Sequence, residues 1–525
     1  MLAPLDWLIL AMSALLVLGI GAGVGLRRNR ATRQADQTDA ERAYFLASGR
    51  MPWWAVSASV VATSLSAVTF IGGPQKAYNG NLTYLSATIG MILGIVIVGA
   101  LFVPAYYRLG VTTVYELPGA RFGLVTQRVA SGAFLVGRVM ASGARLYVGA
   151  IAFSLAVFGD LHTTSLAMAI LSVALIACVY TSMGGIAAVI WTDVVQLLIL
   201  LSAAGAAIVL LVREIPTDIP SIFDALRETT LADGSSKLTV FDWRWDLSAN
   251  FAMPTVLLGW TLFNVAAYGT DQDLAQRLLT CRSAGKARTA IIGAGLVGAL
   301  VTGVFMLLGL LLYVRHQSPD LMGAAIASGG TSGGANGGAP DGRQVFLEYA
   351  LGSLPIGVRG VLLAGLFAAA LSSLDSALNA MASATVRDFG FGERADKSGG
   401  ARRIARASRA AVIVWTAALT GFALGAVWWA ARNPETDLVD LALGVMIYAY
   451  SGLLGVFAAA LLTRRGNQIS SVTALLVGFA ATWALGQPWV SETPISGGWR
   501  MLFSALASFL VCISLPSTHT DQPDG

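Results

Sequence analysis

The sequence predicts an all-α polytopic membrane protein with about 13 transmembrane helices. Three observations predict it. Hydrophobic residues make up 56% of the 525 and charged residues 12%, where a soluble chain carries about a quarter charged. The apolar residues collect in runs of membrane length, for which roughly 20 are needed. Arginines and lysines concentrate in alternate connections between these runs, as in a chain threading a bilayer back and forth. The net charge of +5 is therefore sorted by membrane side and is no nucleic-acid signal.

The expected spans are 5–26, 53–73, 82–107, 126–158, 163–182, 186–212, 251–275, 288–314, 345–384, 408–431, 438–462, 468–486 and 498–515. The first run, Trp7 to Gly25, follows Asp6 and precedes Arg27-Arg28. That is the reverse of a cleavable signal peptide, so it reads as a span with its start outside. The inside loops then hold Arg27, Arg28, Arg30, Arg33, Arg42 and Arg50, next Arg108, Arg121 and Arg128, and next Arg277, Arg282, Lys286 and Arg288. The RRIAR stretch around Arg402, with Arg464 and Arg465, continues the pattern and places the short C-terminal tail inside. A multi-pass protein of the plasma (inner) membrane is expected. The windows 126–158 and 345–384 exceed a straight span and predict tilt, bending or extension. The outside loop 213–250 is the longest, and the Gly-rich loop 322–343 is expected to be flexible.

Cys178, Cys281 and Cys512 form an odd set without metal spacing and read as free thiols. No nucleophile–base pair or metal triad appears in the spans, so no enzyme is expected. Polar groups inside the spans carry the functional signal, because each is costly in hydrocarbon. Val60 to Pro74, VVATSLSAVTFIGGP, places Thr63, Ser64, Ser66 and Thr69 in an apolar span that runs into Gly72-Gly73-Pro74. A Gly-Gly-Pro run frees backbone groups that lipid cannot satisfy, so a broken helix beside a cavity is expected there. Asn264 to Gly269, followed by Thr270-Asp271-Gln272, predicts a second break. The breaks fall in the second and seventh spans, five apart, which points to inverted repeats with a site between them.

Asp375 sits among Ser372, Ser373 and Ser376 in AAALSSLDSALN, where hydroxyls and a carboxylate would suit a hard cation that wants oxygen ligands. The alternative is serines bonded to their own helix in tight packing. Arg138 and Arg145, seven apart, share one helix face and read either as carboxylate binders or as buried and snorkelling cations. Asp271, Asp273 and Arg277 read either as site residues or as surface pairs at an inner helix end. Tyr448 and Tyr450 read either as hydrogen-bond partners of the solute or, more often for such residues in a bundle, as packing.

With SAVTFIGGP, YTSMGGIAAVIWTDVVQ, GTDQDLAQR and AAALSSLDSALNA, most of the chain resembles the sodium:solute symporter family. The resemblance implies a LeuT-type fold with two inverted five-helix repeats. One extra helix and a basic loop would occupy 1–50, the repeats 51–212 and 251–465 on either side of an extracytoplasmic loop 213–250, and two further helices 466–525.

It further implies Na+ held by the carbonyls of Ala62, Leu65 and Ala369 and the hydroxyls of Ser372 and Ser373. Some members hold a second sodium further inward, for which Asp193, Asp375 and Ser376 stand at the matching positions. For the solute, Ser64, Ser66 and Thr69 resemble the hydroxyl-rich first repeat helix of sialic acid symporters, and Asn264 matches a sugar-contacting asparagine. The sugar symporters' glutamine is Thr69 here, and their gating tyrosine falls at Ala267 beside Tyr268. An arginine of the third repeat helix, Arg138 or Arg145, would meet a carboxylate.

The expected function is sodium-coupled import of a small polar organic solute by alternating access, with solute and lipid bilayer as partners. Neither nucleic acid nor an obligate protein partner is expected. Two rivals are a proton-coupled transporter, with Asp193 or Asp375 as carrier, and a transporter-like membrane sensor, whose relatives usually carry a fused kinase region.

Overall fold

Hydrocarbon offers backbone N–H and C=O groups no partner, so apolar runs of this length must satisfy them within helices. The computed structural model describes residues 2–31, 37–65, 67–322, 345–390, 400–430, 432, 438–491 and 493–517. These residues contain no strand, only the isolated bridges of Met51 with Cys281 and Thr230 with Ser236. Ser66, Arg33, most of the Gly-rich loop and the tail from 518 lie outside the described residues.

The chain opens with α1 (Pro4–Ala31), the short α2 (Gln37–Phe45), α3 (Trp53–Ser64), α4 (Ala67–Asn79) and α5 (Thr83–Leu109). Next come α6 (Glu116–Phe122), α7 (Leu124–Val157), α8 (Thr163–Ser182), α9 (Gly184–Glu214) and α10 (Ile219–Glu228). α11 (Thr261–Gly269), α12 (Gln272–Leu279), α13 (Ala284–Gln317), α14 (Val345–Gly352) and α15 (Val358–Asp388) follow. The last four are α16 (Gly400–Ala430), α17 (Leu438–Leu462), α18 (Gln468–Ala484) and α19 (Gly497–Ile513).

Among the described residues, nine helices are long and apolar enough to cross a membrane, or ten if α3 and α4 count as one bent span. The remaining three of the expected spans are helical but fall short of that test. The window 251–275 is broken between α11 and α12, and α18 and α19 have 17 residues each. The long window 345–384 is divided by a turn at Pro355 into α14 and α15. α8 and α9 run nearly continuously through a kink at Gly185, whose φ of 62° is the left-handed region that suits glycine.

The first break lies earlier than expected. α3 stops at Ser64, Leu65 is extended (φ −84°, ψ 102°), and the following helix turns by 60°. Gly72, Gly73 and Pro74 lie inside α4 instead of ending it. Their use is close packing: a Cβ on Gly309 of α13 would sit 2.2 Å from the Pro74 carbonyl oxygen, and one on Gly73 3.1 Å from Phe305 Cβ. Small residues here let α4 and α13 approach backbone to backbone. Gly90 and Gly94 do the same for α5 against α11, where added Cβ atoms would meet the Val256 carbonyl oxygen and Asn264 Cβ at 2.7 and 2.8 Å.

Two buried charges pin helix ends that frame the site. Asp6, fully buried, accepts hydrogen bonds from Gly357 N at 2.8 Å and Gly360 N at 3.0 Å, so an acid of α1 caps the N-terminus of α15. Lys237, from the loop 213–250, is 1% exposed. Its ammonium donates to the carbonyls of Ala77 and Tyr78 at the end of α4 and sits 3.8 Å from the Tyr313 ring centre. A cation at a helix C-terminus complements its orphan carbonyls.

Burial pushes the Lys237 amine down to about 8 from an ordinary value of 10.5. Between those values the folded protein has released a proton that the unfolded chain keeps, so stability rises with pH there. The wild type is expected to gain thermal stability relative to Lys237→Met as pH is raised from about 7 to 10. A difference independent of pH in detergent melting curves would contradict this burial.

Candidate ion and solute site

The extended Leu65 breaks α3 just where α15 crosses it. A helix end leaves its last carbonyls without intrahelical partners, which makes them available to other ligands. α15 presents Ser372, Ser373 and Ser376 to this end. Ser373 Oγ donates to the Thr63 carbonyl at 3.4 Å, and Thr63 Oγ1 lies 3.1 Å from Ser376 Oγ. Ala62, Leu65, Ala369, Ser372 and Ser373 are all buried around this crossing. Ser372 Oγ donates its proton to Asp193 Oδ1 at 2.5 Å, which leaves its lone pairs for a cation.

Directly behind the serines is a resident cation. Arg277 is 0% exposed and reaches four helices. Its Nε donates to Ser59 Oγ on α3 at 2.9 Å, Nη1 to Asp273 Oδ1 on α12 at 3.0 Å, and Nη2 to Ser376 Oγ on α15. Nη2 also lies 3.5 Å from Asp193 Oδ2 on α9, which accepts a further bond from Ser59. The residues matched to a second sodium are thus brought together, with a guanidinium among them. Asp375 Oδ1 accepts from Ser376 N at 2.6 Å, while its Oδ2 is buried without a hydrogen-bond partner.

The second break is at Thr270-Asp271, immediately after the expected stretch. α11 ends at Gly269, whose carbonyl accepts from the Tyr106 hydroxyl. Asp271 is extended and caps α12 by accepting from Asp273 N. The polar residues that follow are buried and paired, not surface residues. Arg138 is paired with Asp271 and, at 3.1 Å, with Asp273; the Tyr450 hydroxyl donates to Asp271. Gln272 bonds Val114 N and Ser383 Oγ, and Gln276 bonds the Phe45 carbonyl. Arg277 therefore leaves the tally of inside-loop positives, and Tyr450 is a partner of the network more than packing. Polar residues packed into so short a helix beside a break were the signal; their partners were out of local view.

Beside this crossing of α3 and α15 is a cavity of about 200 Å³. Ser64, Thr69, Asn264, Tyr268, Arg138 and Arg145 all line it, together with Thr63 and Leu65 of the break. Their roles differ in availability. Asn264 Nδ2 is turned back to the Trp260 carbonyl at 2.7 Å, leaving its oxygen as the free end. Ser64 Oγ donates to the Val61 carbonyl at 2.9 Å and retains acceptor capacity. Arg138 is committed to its carboxylates. Arg145 meets only Met446 Sδ at 3.5 Å and forms no ion pair among the described residues.

The chain resembles known proteins over most of its length. The family model described as "Sodium:solute symporter family" matches residues 44–478. The sodium/sialic acid symporter of Proteus mirabilis is 28% identical over 446 residues, 84% of this chain and 83% of its own length. The sodium/glucose cotransporter of Vibrio parahaemolyticus is 28% identical over 416 residues, 79% of this chain and 73% of its own. A Na+-coupled sialic acid symporter solved in a substrate-bound outward-open state superposes with a TM-score of 0.79 at 22% identity, covering 98% of this chain and 97% of that one. Mhp1, a nucleobase-cation-symport-1 family transporter, gives 0.55 at 14% identity over 89% of this chain and 92% of its own. At these identities the two structures speak for the fold, which is the LeuT type.

The pairing pattern separates the two kinds of arginine experimentally. Arg277→Met strands buried carboxylates and is expected to cost about 3–5 kcal/mol of stability. Arg145→Met, which strands none, is expected to stay within about 1 kcal/mol of wild type. Thermal unfolding of the purified protein distinguishes them, and equal losses would contradict the assignment.

Proposed function

The chain belongs to the sodium:solute symporter family, and from that premise we propose that it imports a small solute bearing hydroxyls and a carboxylate together with one sodium ion. One observation carries the solute class: the unpaired guanidinium of Arg145 shares a cavity with the hydroxyls of Ser64 and Thr69 and the amide of Asn264. A planar fork of donors suits a carboxylate, and hydroxyl and amide groups suit a polyhydroxylated body. Tyr268 closes one side of the same cavity, and Ser66 is assigned to the solute with these residues from the sequence. Sialic acid symporters stand among the relatives named above, which supports the same class. Arg138 holds Asp271 and Asp273, and thereby the second break, in place.

Sodium binds at the crossing of α3 and α15, to the carbonyls of Ala62, Leu65 and Ala369 and the hydroxyls of Ser372 and Ser373. Its affinity is higher when these two helices stay together, and the coupling is as large as that difference in affinity. Separation of α15 from the α3 end on opening to the arginine-rich face releases the ion. That face is the cytoplasmic one by its positive charge, with the N-terminus outside and the C-terminus inside, in the plasma (inner) membrane. The repeats are 51–212 and 251–465, joined by the extracytoplasmic segment 213–250. Arg277 places a positive charge at Asp193 and Ser376, which favours one sodium as the proposed stoichiometry; Asp193, Asp375 and Ser376 are the residues that would hold a second.

A second reading rests on Asp375, whose Oδ2 has no hydrogen-bond partner. A proton carried there would couple transport to pH. Replacing sodium by choline at fixed pH decides between the readings, since only sodium coupling abolishes uptake.

Ser372→Ala and Ser373→Ala are each expected to raise the sodium concentration for half-maximal uptake in proteoliposomes by about tenfold or more, from loss of one ligand worth about 1.5 kcal/mol. Unchanged sodium dependence in both would displace the ion site. Arg145→Gln is expected to weaken carboxylate-solute binding by about 10- to 100-fold, the loss of a charge-assisted hydrogen bond. Its binding of a solute lacking the carboxylate should change little. Equal weakening of both solutes would remove Arg145 from the carboxylate role.

A further inference from the structure

A cavity of about 910 Å³ opens on the arginine-rich side and shares no wall residue with the solute cavity. It lies where several spans end. α1 ends on its wall at Arg27, α5 ends beside it at Leu109, and α3, α9 and α13 begin beside it at Trp53, Gly184 and Ala284. Span ends gathered at one level mark the depth at which hydrocarbon gives way to headgroups. Trp191 on the wall meets the exposed Trp54 edge to face at 5.6 Å, and tryptophans collect at that depth. Leu26 and Leu109, each next to a wall residue, are 61% and 52% exposed. The cavity thus combines a charged wall with an apolar rim.

The wall carries four arginines, Arg27, Arg42, Arg50 and Arg282, against one acid, Asp39, among the described residues. None of the four guanidiniums has an ion pair or a hydrogen bond among those residues. Arg42 reaches across from α2, since a Cβ on Gly110 just past α5 would lie 3.8 Å from its Nη2. Like charges gathered without counter-ions repel one another, so the arrangement gains from an anion. Arg464 and Arg465, exposed on the same side, have no place on this wall, so sidedness of charge does not by itself gather the four.

The backbone adds an independent signal. Ala47, Ser48 and Gly49, all on the wall, have φ of 49°, 53° and 65°. Ala47 and Ser48 are the only non-glycine residues with positive φ among the described residues. That conformation is strained for a residue with a side chain and persists where the surroundings enforce it. Here Met51 N donates to the Thr280 carbonyl at 3.0 Å, which pins the turn to the segment after α12. The N–H groups of Ala47 and Ser48 donate no hydrogen bond among the described residues. Successive N–H groups in such a turn suit an anion.

Guanidinium forks and a backbone N–H turn share a preferred ligand, the oxygens of a phosphate. The depth of the cavity and its apolar rim place acyl chains beside that phosphate. We infer that this cavity binds the headgroup of an anionic phospholipid from the leaflet on the arginine-rich side. The headgroup bridges α1, α2, the start of α3 and the turn before α13, which between them supply the four arginines. Binding is independent of the solute and ion assignments above.

The test is native mass spectrometry of the delipidated full chain in a neutral detergent, titrated with dioleoyl phosphatidylglycerol or dioleoyl phosphatidylcholine. The first phosphatidylglycerol is expected to bind about tenfold or more tighter than the first phosphatidylcholine. Arg42→Gln with Arg282→Gln strands no partner, so it is expected to keep the wild-type melting temperature while losing that preference. Arg27→Gln with Arg50→Gln is a second, separate pair expected to weaken it as well. Arg464→Gln with Arg465→Gln, off the wall, is expected to retain it. Equal binding of the two lipids, or a loss in neither wall pair beyond that of the control pair, would overturn the site. Displacement of the lipid by an equal concentration of glycerol 3-phosphate would overturn it too, by showing that a soluble phosphate is the ligand.

Discussion

One buried cation holds the centre of this protein together. Arg277 has no water to turn to, and a charge in a low-dielectric interior is tolerable only when its partners surround it. Those partners come from α3, α9, α12 and α15, so the guanidinium converts four separate helices into a single polar junction. The carboxylate of Asp193 faces both this junction and Ser372, and in that way the serine of the proposed ion site inherits its orientation from Arg277. Arg138 has the parallel role nearby, fastening the second break through Asp271 and Asp273.

The two breaks then have different causes. At Leu65 the chain departs from the helix and leaves carbonyls beside serine hydroxyls, an arrangement suited to a hard ion. At Thr270-Asp271 the departure is sealed by a side-chain cap and an ion-pair network, an arrangement suited to staying put. Between them lies the cavity, so a break with open carbonyls and a break sealed by ion pairs face the same volume. Glycines at 90, 94 and 309 set the spacing of the surrounding helices by letting backbones touch.

Much of this is legible in the residues. Hydroxyls and carboxylates inside apolar runs are too costly to be casual, which is why Ser372, Ser373, Ser376 and Asp193 stand out in the chain alone. The position of the first break does not, because Gly72-Gly73-Pro74 is the stronger local signal and its packing against Phe305 and Gly309, more than 200 residues away, is invisible in a window. Arg277 looks like a loop charge for the same reason: its partner Asp193 is 84 positions distant. Counting spans succeeds for location, and the length test passes nine or ten of them among the described residues, since α18 and α19 have 17 residues each and the window 251–275 is interrupted. The difference between Arg138 and Arg145 is equally out of reach, for it depends on which of two similar side chains finds carboxylates.

The attachment of Lys237 to the end of α4 has a mechanical meaning. α4 is not a straight continuation of α3, because the chain bends by 60° between them, so its far end at Asn79 is a lever fastened separately from α3. The lever is gripped by a side chain from the loop 213–250, whose aromatic end at Trp243 and Trp245 is 67% and 78% exposed. To move that end of α4 is therefore to carry the loop with it or to break the Lys237 bonds. The loop is a handle on a helix whose middle, from Gly72 to Gln75, is buried.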